Sequence, residues 1–468
     1  MDILFLSSRL FLGENDGPDF INGGIIVTTE GKIRKILRGA GEVNSYVYTH
    51  ESEAVFDFED KVLMPGLIDV NVHISEPGRN DWEGFSCATK AAAAGGITTI
   101  LDRPQYSVPF TTSLENLKCK VTTARGKLFV DVGFWGGLID NNSKDIEKMV
   151  QSGVMGIQCS MCPLEDFPAT SSEEIEKVLP LLDDHILAVH TELPLQKPIN
   201  PNPLEPKMYK TFLDTRPESM EINAVKQICK IAENHTKTKF HIMNLSSSKT
   251  LTLMEASKKK GANISVETCP HYLFFNAESI PELRTEFKCL PPIRTSPNND
   301  NLWEAIKTKQ IDIISSNHCP CTNSAKCLSF GKNRGNFIDA FPGVSSLQFS
   351  LPAFWTKARE HGLGIRDVYR LLCANPAKLC GIDSFKGKIK EDYDADFCIW
   401  DPEVEFKVTP DINHSQNKPN PYMDMTLYGR VHATVVRGLH VYQLDEGFGQ
   451  PLGKVVQRKS FKKIVKFC

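Results

Sequence analysis

The sequence predicts an α/β protein: a (β/α)8 TIM barrel with a small composite β-sandwich domain formed by both ends of the chain. Two observations lead to this prediction. From about residue 64 to residue 385, eight short β-rich runs alternate with helical patterns. The flanks contain only short β-like pieces and too few apolar residues for separate cores. We therefore expect segments 1–62 and 387–445 to form one β domain beside a barrel spanning 63–386, followed by a basic tail, 446–468.

The predicted barrel strands are apolar runs of strand length, and helical patterns separate them. In the segment 171–182, for example, Ser171 and Glu174 have the spacing of a capping box that begins a helix. The eight predicted strands are GLIDVNVH (66–73), TTILDRP (98–104), LFVDVGFW (128–135), VMGIQCS (154–160), ILAVHTE (186–192), FHIMNL (240–245), ISVETCP (264–270) and IDIISSN (311–317).

The composition limits the classes of partner and the compartment. A formal net charge of -3 gives no reason to expect nucleic acid or an anionic membrane as a partner. No apolar run of about 18 residues predicts a membrane span. Fourteen cysteines without a recognisable signal peptide indicate reduced thiols and a cytoplasmic location. The end, 457–468, carries five basic residues and no acid, and we expect it to be a frayed, solvated terminus rather than a binding tail.

Several predicted strands carry histidine or amide side chains toward their carboxyl ends. In barrels of this kind the chemistry takes place at that end of the strands. Because successive side chains of a strand point to opposite faces, the side chains of residues 71 and 73 lie on the same face of the first strand. The polar residues found in this way are Asn71, His73, Gln158, His190, His241, Asn244, Asn317 and His318.

Longer motifs in the sequence closely resemble those of allantoinases, which are cyclic amidases of the amidohydrolase superfamily related to dihydroorotase and dihydropyrimidinase. The motifs occur in the family's order, and the resemblance extends from about residue 20 to 450. They are MPGLIDVNVHISEPGRNDWEGF (64–85), AAAAGGITTI (91–100), DVGFWGGL (131–138), RPESMEI (216–222), ETCPHYL (267–273), PPIR (291–294) and NHCPC (317–321).

The resemblance implies hydrolysis of a ring amide, which opens allantoin to allantoate in purine catabolism. In that family two zinc ions are held by four histidines, an aspartate and a carboxylated lysine that bridges the ions. The metals lower the pKa of a shared water, and the resulting hydroxide attacks the carbonyl. The aspartate takes up the proton and passes it to the leaving nitrogen.

Four of the six implied ligand positions are substituted in this chain. His73 and His190 are retained. Asn71 and Asn244 stand where the family has histidine, Gln158 stands at the lysine position, and Asn317 stands at the position of the catalytic aspartate. A carboxamide nitrogen is delocalised and cannot add carbon dioxide, and amide oxygens are poor ligands for zinc. We therefore expect no metal cofactor.

The loops that the resemblance places near substrate differ as well. Tyr106 stands where the family has an asparagine, and Arg103 adds a charge nearby. Leu290 replaces a small or polar family residue, and Pro342 removes a backbone donor. These substitutions indicate that allantoin binding itself is altered.

The resulting hypothesis is an allantoinase-family protein that is a catalytically inactive pseudoenzyme. One alternative is a weakly active or mononuclear cyclic amidase, and another is a metal-free binder of a small ureide or a scaffold subunit. A zinc site rebuilt from cysteines of the segments 159–162 and 319–321 is a weaker alternative. By the family's habit, we expect a homo-oligomer or a hetero-oligomer with a related protein.

Overall fold

The computed structural model describes residues 2–14, 17–50, 52, 54–182 and 184–458. Its centre is the predicted barrel of parallel strands, which confirms the fold class. The strand core is almost entirely buried, as expected for parallel strands that are covered by helices. In chain order the barrel strands are Leu67–Val72, Ile97–Asp102, Asp131–Phe134, Gly136–Gly137, Ile157–Ser160, Ile186–His190, Lys239–Met243, Ile264–Thr268 and Ile313–Ile314.

The barrel closes by two junctions between its three-stranded and six-stranded sheets. Val72, at the end of the first strand, forms a parallel bridge with His318, just after the last strand. The third strand runs through Trp135 into Gly136–Gly137, which pairs with Ile157–Ser160. Closure brings the carboxyl ends of all the strands to one mouth, and this is where the polar strand ends meet.

Helices follow the strands and cover the barrel. The predicted capping box at Ser171 is present in part: its hydroxyl accepts a hydrogen bond from the backbone N–H of Glu174 at 3.3 Å. No described helix has the length and apolarity that crossing a membrane requires. The helices are Ala40–Thr49, Phe85–Ala94, Leu114–Ala124, Ser143–Gln151, Ser172–Val178, Tyr209–Thr215, Ser219–Asn234, Leu251–Lys259, Pro270–Phe274, Ser296–Lys307, Ser350–Glu360, Ile365–Tyr369 and Asn375–Cys380.

Both ends of the chain form one nine-stranded sheet beside the barrel, as predicted. The two halves join where Val62–Pro65 pairs antiparallel with Phe397–Lys407. Apolar residues from both halves, such as Phe5 and Phe397, share one buried cluster. The other strands of the sheet are Ile3–Leu10, Ile21–Val27, Ile33–Arg38, Ala54–Asp57, Thr426–Val436, Leu439–Gln443 and Gly447–Phe448.

The segment 447–458 is packed on the protein, and it includes the first two residues of the stretch 457–468 that we expected to be frayed. Val455 bridges in parallel to Val132 of a barrel strand. Arg458 is only 4% exposed, and its guanidinium bonds to Asp184 at 3.0 Å. Backbone pairing and this ion pair hold the segment in place. Residues 459–468, the rest of the expected tail, lie outside the described residues.

A buried lysine connects the barrel to the β domain. The ammonium of Lys386 lies 2.8 Å from Asp131 of a barrel strand and 3.0 and 2.5 Å from Asp394 and Asp396, which precede a strand of the composite sheet. Arg437 adds a second cation at 2.6 Å from Asp131. These cations hold the pKa of Asp131 below its ordinary value against the opposing effect of burial. The three aspartates could form a cation site, but the lysine already supplies the cation.

Candidate functional site

The polar strand ends selected from the sequence lie together at the barrel mouth. Asn244 follows directly on the strand Lys239–Met243, and Asn317 lies three residues after the strand Ile313–Ile314. Both adopt left-handed backbone conformations, with φ of 39° and 46°. Asparagine, like aspartate and histidine, is enriched in this region of backbone space. An asparagine at either position can therefore keep the turn that points its side chain into the mouth.

The guanidinium of Arg103 lies at the centre of this group. Arg103 follows the strand Ile97–Asp102 and is 2% exposed. Its Nε donates to the Gln158 side-chain oxygen at 3.1 Å. Its Nη1 donates to the side-chain oxygens of Asn71 at 3.1 Å and Asn317 at 3.3 Å. One cation therefore satisfies the oxygens of three of the four substituted positions.

The amide of Asn71 links this cation to a buried carboxylate. Its Nδ2 donates to Glu267 at 2.6 Å, and the other carboxylate oxygen of Glu267 lies 3.2 Å from His241. Burial alone would raise the pKa of Glu267, but the hydrogen bonds from His241 and Asn71 outweigh it and lower this pKa. Glu267 is thus linked to Arg103 by hydrogen bonds through the neutral amide of Asn71.

The two retained histidines have different surroundings. His73 packs against the Tyr106 ring at a centroid distance of 4.8 Å, and its buried Nδ1 has no protein partner among the described residues. His190 lies 3.0 Å from Glu192 through Nε2 and 3.5 Å from the amide of Asn244 through Nδ1. Burial lowers the pKa of His190, but hydrogen bonds with Cys162 and Glu192 outweigh it and raise this pKa to about 9.

An aromatic plug, formed by Trp82, Tyr106 and Phe341, closes the mouth. The Phe341 ring lies 4.6 Å from Trp82 and 5.1 Å from Tyr106, with edge-to-face geometry in both pairs. Tyr106 is only 4% exposed. Beneath the plug remains a cavity of about 20 Å3, bounded by Leu290 among others. Since one water needs roughly 10–15 Å3, this space suits a particle of about water size.

The structure brings all the residues that the family resemblance implied for the site into this one region. His73, Tyr106, His190, Leu290 and Asn317 line the small cavity. The remaining three are one contact away: Asn71 and Gln158 bond to Arg103, whereas the amide of Asn244 donates to the Leu290 carbonyl at 2.8 Å. Sequence reasoning recorded Arg103 only as an added charge in a loop. Its position directly after a barrel strand places it at the mouth but leaves the direction of its side chain open.

This donor set does not fit a pair of zinc ions. The guanidinium lies within hydrogen-bond distance of three ligand positions, and its positive charge would repel a dication there. The side-chain oxygens of Asn71, Gln158 and Asn317 already accept from Arg103. Of the two retained imidazoles, only His73 has a nitrogen without a protein partner among the described residues. A bridging carbamate has no amine at residue 158 from which to form.

A second group could hold one ion only against an opposing charge. Ligand atoms of Cys162, His190 and Glu192 lie within 4.8 Å of one another. However, Arg216 donates to Glu192 at 2.7 Å and faces the Cys162 sulfur at 3.8 Å. The carboxylate is therefore already compensated by a guanidinium, which disfavours a mononuclear metal site. Cys319, another of the thiols considered in the sequence, lines the small cavity and is not part of this group.

Comparison with known proteins defines the family. The amidohydrolase family model matches residues 62–441. The chain is 40% identical to an allantoinase of Arabidopsis thaliana over 94% of this chain and 88% of the relative. It is 37% identical to an allantoinase of Streptomyces avermitilis over 98% and 99%. This chain belongs to the amidohydrolase family, in its allantoinase branch.

Solved structures of the amidohydrolase family have the same fold. An L-hydantoinase (dihydropyrimidinase) from Arthrobacter aurescens superimposes with a TM-score of 0.87 at 24% identity, covering 98% of this chain and all of that one. A dihydropyrimidinase from Brevibacillus agri gives a TM-score of 0.82 at 23% identity over the full length of both chains. Likenesses at this identity establish the barrel and its β domain, and the chemistry of this chain has to be argued from its own residues.

Proposed function

We propose that this chain is a non-hydrolytic member of the allantoinase branch, retained as a cytoplasmic subunit that assembles with itself or with a related chain. The central observation is the Arg103 guanidinium, bonded to Asn71, Gln158 and Asn317. These are three of the positions where the family's metal ligands are expected. A hydrogen-bonded arginine thus takes the place of the charge that activates water in active relatives.

The arrangement also favours this proposal over its alternatives. A mononuclear amidase would need an open metal position, but the group around His190 includes the competing cation of Arg216. A ureide binder would need a pocket of roughly 300 Å3 or more, whereas the space beneath the aromatic plug is about 20 Å3. In addition, Asn317 offers a neutral amide where proton transfer requires a carboxylate.

An allantoin hydrolysis assay tests the proposal. The purified chain, incubated with zinc, manganese or cobalt, is expected to form allantoate no faster than buffer does. Without a metal, the pKa of water stays near 15.7 rather than about 7. Loss of the proton carrier removes roughly another hundredfold or more. Multiple turnovers that disappear in both His73→Ala and His190→Ala would refute the proposal.

A further inference from the structure

The Arg103 guanidinium has a hydrogen-bond donor that the protein does not use. Its Nε and Nη1 bond to amide oxygens, but its buried Nη2 has no partner among the described residues. Arg103 lines the 20 Å3 cavity, so its guanidinium lies beside a small space. A buried N–H without a partner is unfavourable, and more so when the group is charged.

The charge of Arg103 also lacks a direct counterion. Within the described ranges, no carboxylate lies within 4.0 Å of its nitrogens, whereas the buried Arg294 pairs with Glu221 at 2.8 Å and Lys120 with Asp102 at 2.6 Å. Glu267 compensates Arg103 only through the amide of Asn71. Buried cations in proteins are ordinarily paired.

Other polar atoms around the cavity are also unpartnered. His73, with its unpartnered Nδ1, and Arg103 both line the cavity. Gln158, which accepts from Arg103, has an unpartnered and buried Nε2. Arg103 Nη2 and Gln158 Nε2 are donors, and His73 Nδ1 is a donor in one tautomer of the ring. The apolar part of the wall, including Leu290 and Pro342, limits the ligand to a small particle.

We propose that this cavity binds a small monovalent anion of halide size, such as chloride, against Arg103. The anion would accept a hydrogen bond from Nη2 and compensate the guanidinium charge. This inference rests on the proposed function, since a metal pair would require the same space. Anion binding would stabilise the folded state. At anion concentrations above the dissociation constant, the free energy of unfolding would rise with the logarithm of the anion concentration.

Thermal unfolding at constant ionic strength tests the anion site. Increasing concentrations of chloride replace gluconate, an anion that is too large for the cavity. The series is measured on the wild-type chain, on Arg103→Met and on Arg359→Met. Arg359 is an exposed residue of the helix Ser350–Glu360 and serves as the matched control. We expect Tm to rise by a few degrees and saturate in the wild type and in Arg359→Met, and to stay constant in Arg103→Met. Equal responses in all three proteins, or no response in the wild type, would overturn the proposal.

Crystals of the wild-type chain grown with bromide give a measurement that does not depend on how the variants fold. The expected result is an anomalous bromine peak within hydrogen-bond distance of Arg103 Nη2. A water alone at that position, with bromide bound elsewhere, would overturn the anion site and leave the proposed function intact. An anomalous zinc peak between His73 and His190 would instead overturn the proposed function, so the two failures are distinguishable.

Discussion

Restoring the four substituted ligand positions while keeping Arg103 is expected to leave the chain without its metal pair. The guanidinium would remain between the new ligands. It would pair with the aspartate introduced at residue 317, because the side-chain oxygen of Asn317 lies 3.3 Å from Arg103 Nη1. Two unit charges 4 Å apart interact by about 4 kcal/mol at an effective dielectric constant of about 20, and a dication doubles the repulsion. Arg103 must therefore be removed as well.

Two variants are compared: one keeps Arg103, and in the other methionine replaces it. The five-substitution variant, in which methionine also replaces Arg103, is expected to bind two zinc ions per chain, and the four-substitution variant well under one. Inductively coupled plasma mass spectrometry after dialysis measures the number of zinc ions per chain in each variant. Two zinc ions in the variant that keeps Arg103 would contradict its blocking role, and none in the other would mean that the site is misplaced. The substitutions are Asn71→His, Gln158→Lys, Asn244→His and Asn317→Asp, with and without Arg103→Met.

Hydrolysis of allantoin is a separate requirement even where metal returns. Tyr106 and Phe341 fill the space above Arg103, and the cavity left beneath them is about 20 Å3. Methionine at residue 103 does not move these rings apart. We therefore expect the five-substitution variant to bind metal and to remain inactive. This result would separate the effect of the lost metal site from the effect of the closed mouth.

Lys386→Met is expected to lower the free energy of unfolding by about 3–5 kcal/mol, the usual cost of removing one partner from a buried ion pair. The substitution would leave Asp131, Asp394 and Asp396 close together, with Arg437 and Lys32 as their remaining cations. Urea unfolding measured by circular dichroism at pH 7 tests this. Lys388→Met, an exposed lysine two residues away, is the matched control and should change stability by no more than about 0.5 kcal/mol.

The effect of Lys386→Met should also depend on pH in a defined direction. Without the ammonium, mutual repulsion raises the folded-state pKa values of these aspartates above the unfolded value of about 3.9. A carboxyl group with a raised folded-state pKa destabilises the fold at high pH, and protonation relieves that penalty as the pH falls. The difference between variant and wild type should therefore shrink from pH 7 toward pH 4.5. A small or pH-independent difference would contradict the role given to Lys386.

The strand pattern made the fold predictable. Eight apolar runs of strand length, each followed by a helical pattern, predict a parallel barrel, because parallel strands that are covered by helices are buried on both faces. The weak apolar content of the flanks predicted their pairing, and Val62–Pro65 indeed joins Phe397–Lys407. The packing of 447–458 was not foreseen, because its backbone hydrogen bonds and scattered apolar contacts, such as those of Phe448 and Val456, leave no periodic apolar pattern.

The positions of the site were predictable, but its new centre was not. Residues such as Asn71 and Gln158 could be identified through the family resemblance. Arg103 could not be assigned a direction, since a charged side chain after a strand can point to solvent or into the mouth. The Lys386 group was missed because Asp131 lies more than two hundred residues from its partners in the sequence. Such long-range charge groups depend on the assembled fold and not on local pattern.

The metal content of the wild-type chain tests the central claim most directly. The chain is expressed in zinc-supplemented medium, purified without chelators, and measured by plasma mass spectrometry beside a catalytically active allantoinase prepared in the same way. If the Arg103 guanidinium replaces the metal centre, zinc, manganese and cobalt together should be close to zero per chain, while the active enzyme retains its metal. One or more tightly held metal ions per wild-type chain, lost on substitution of His73 or His190, would contradict the account.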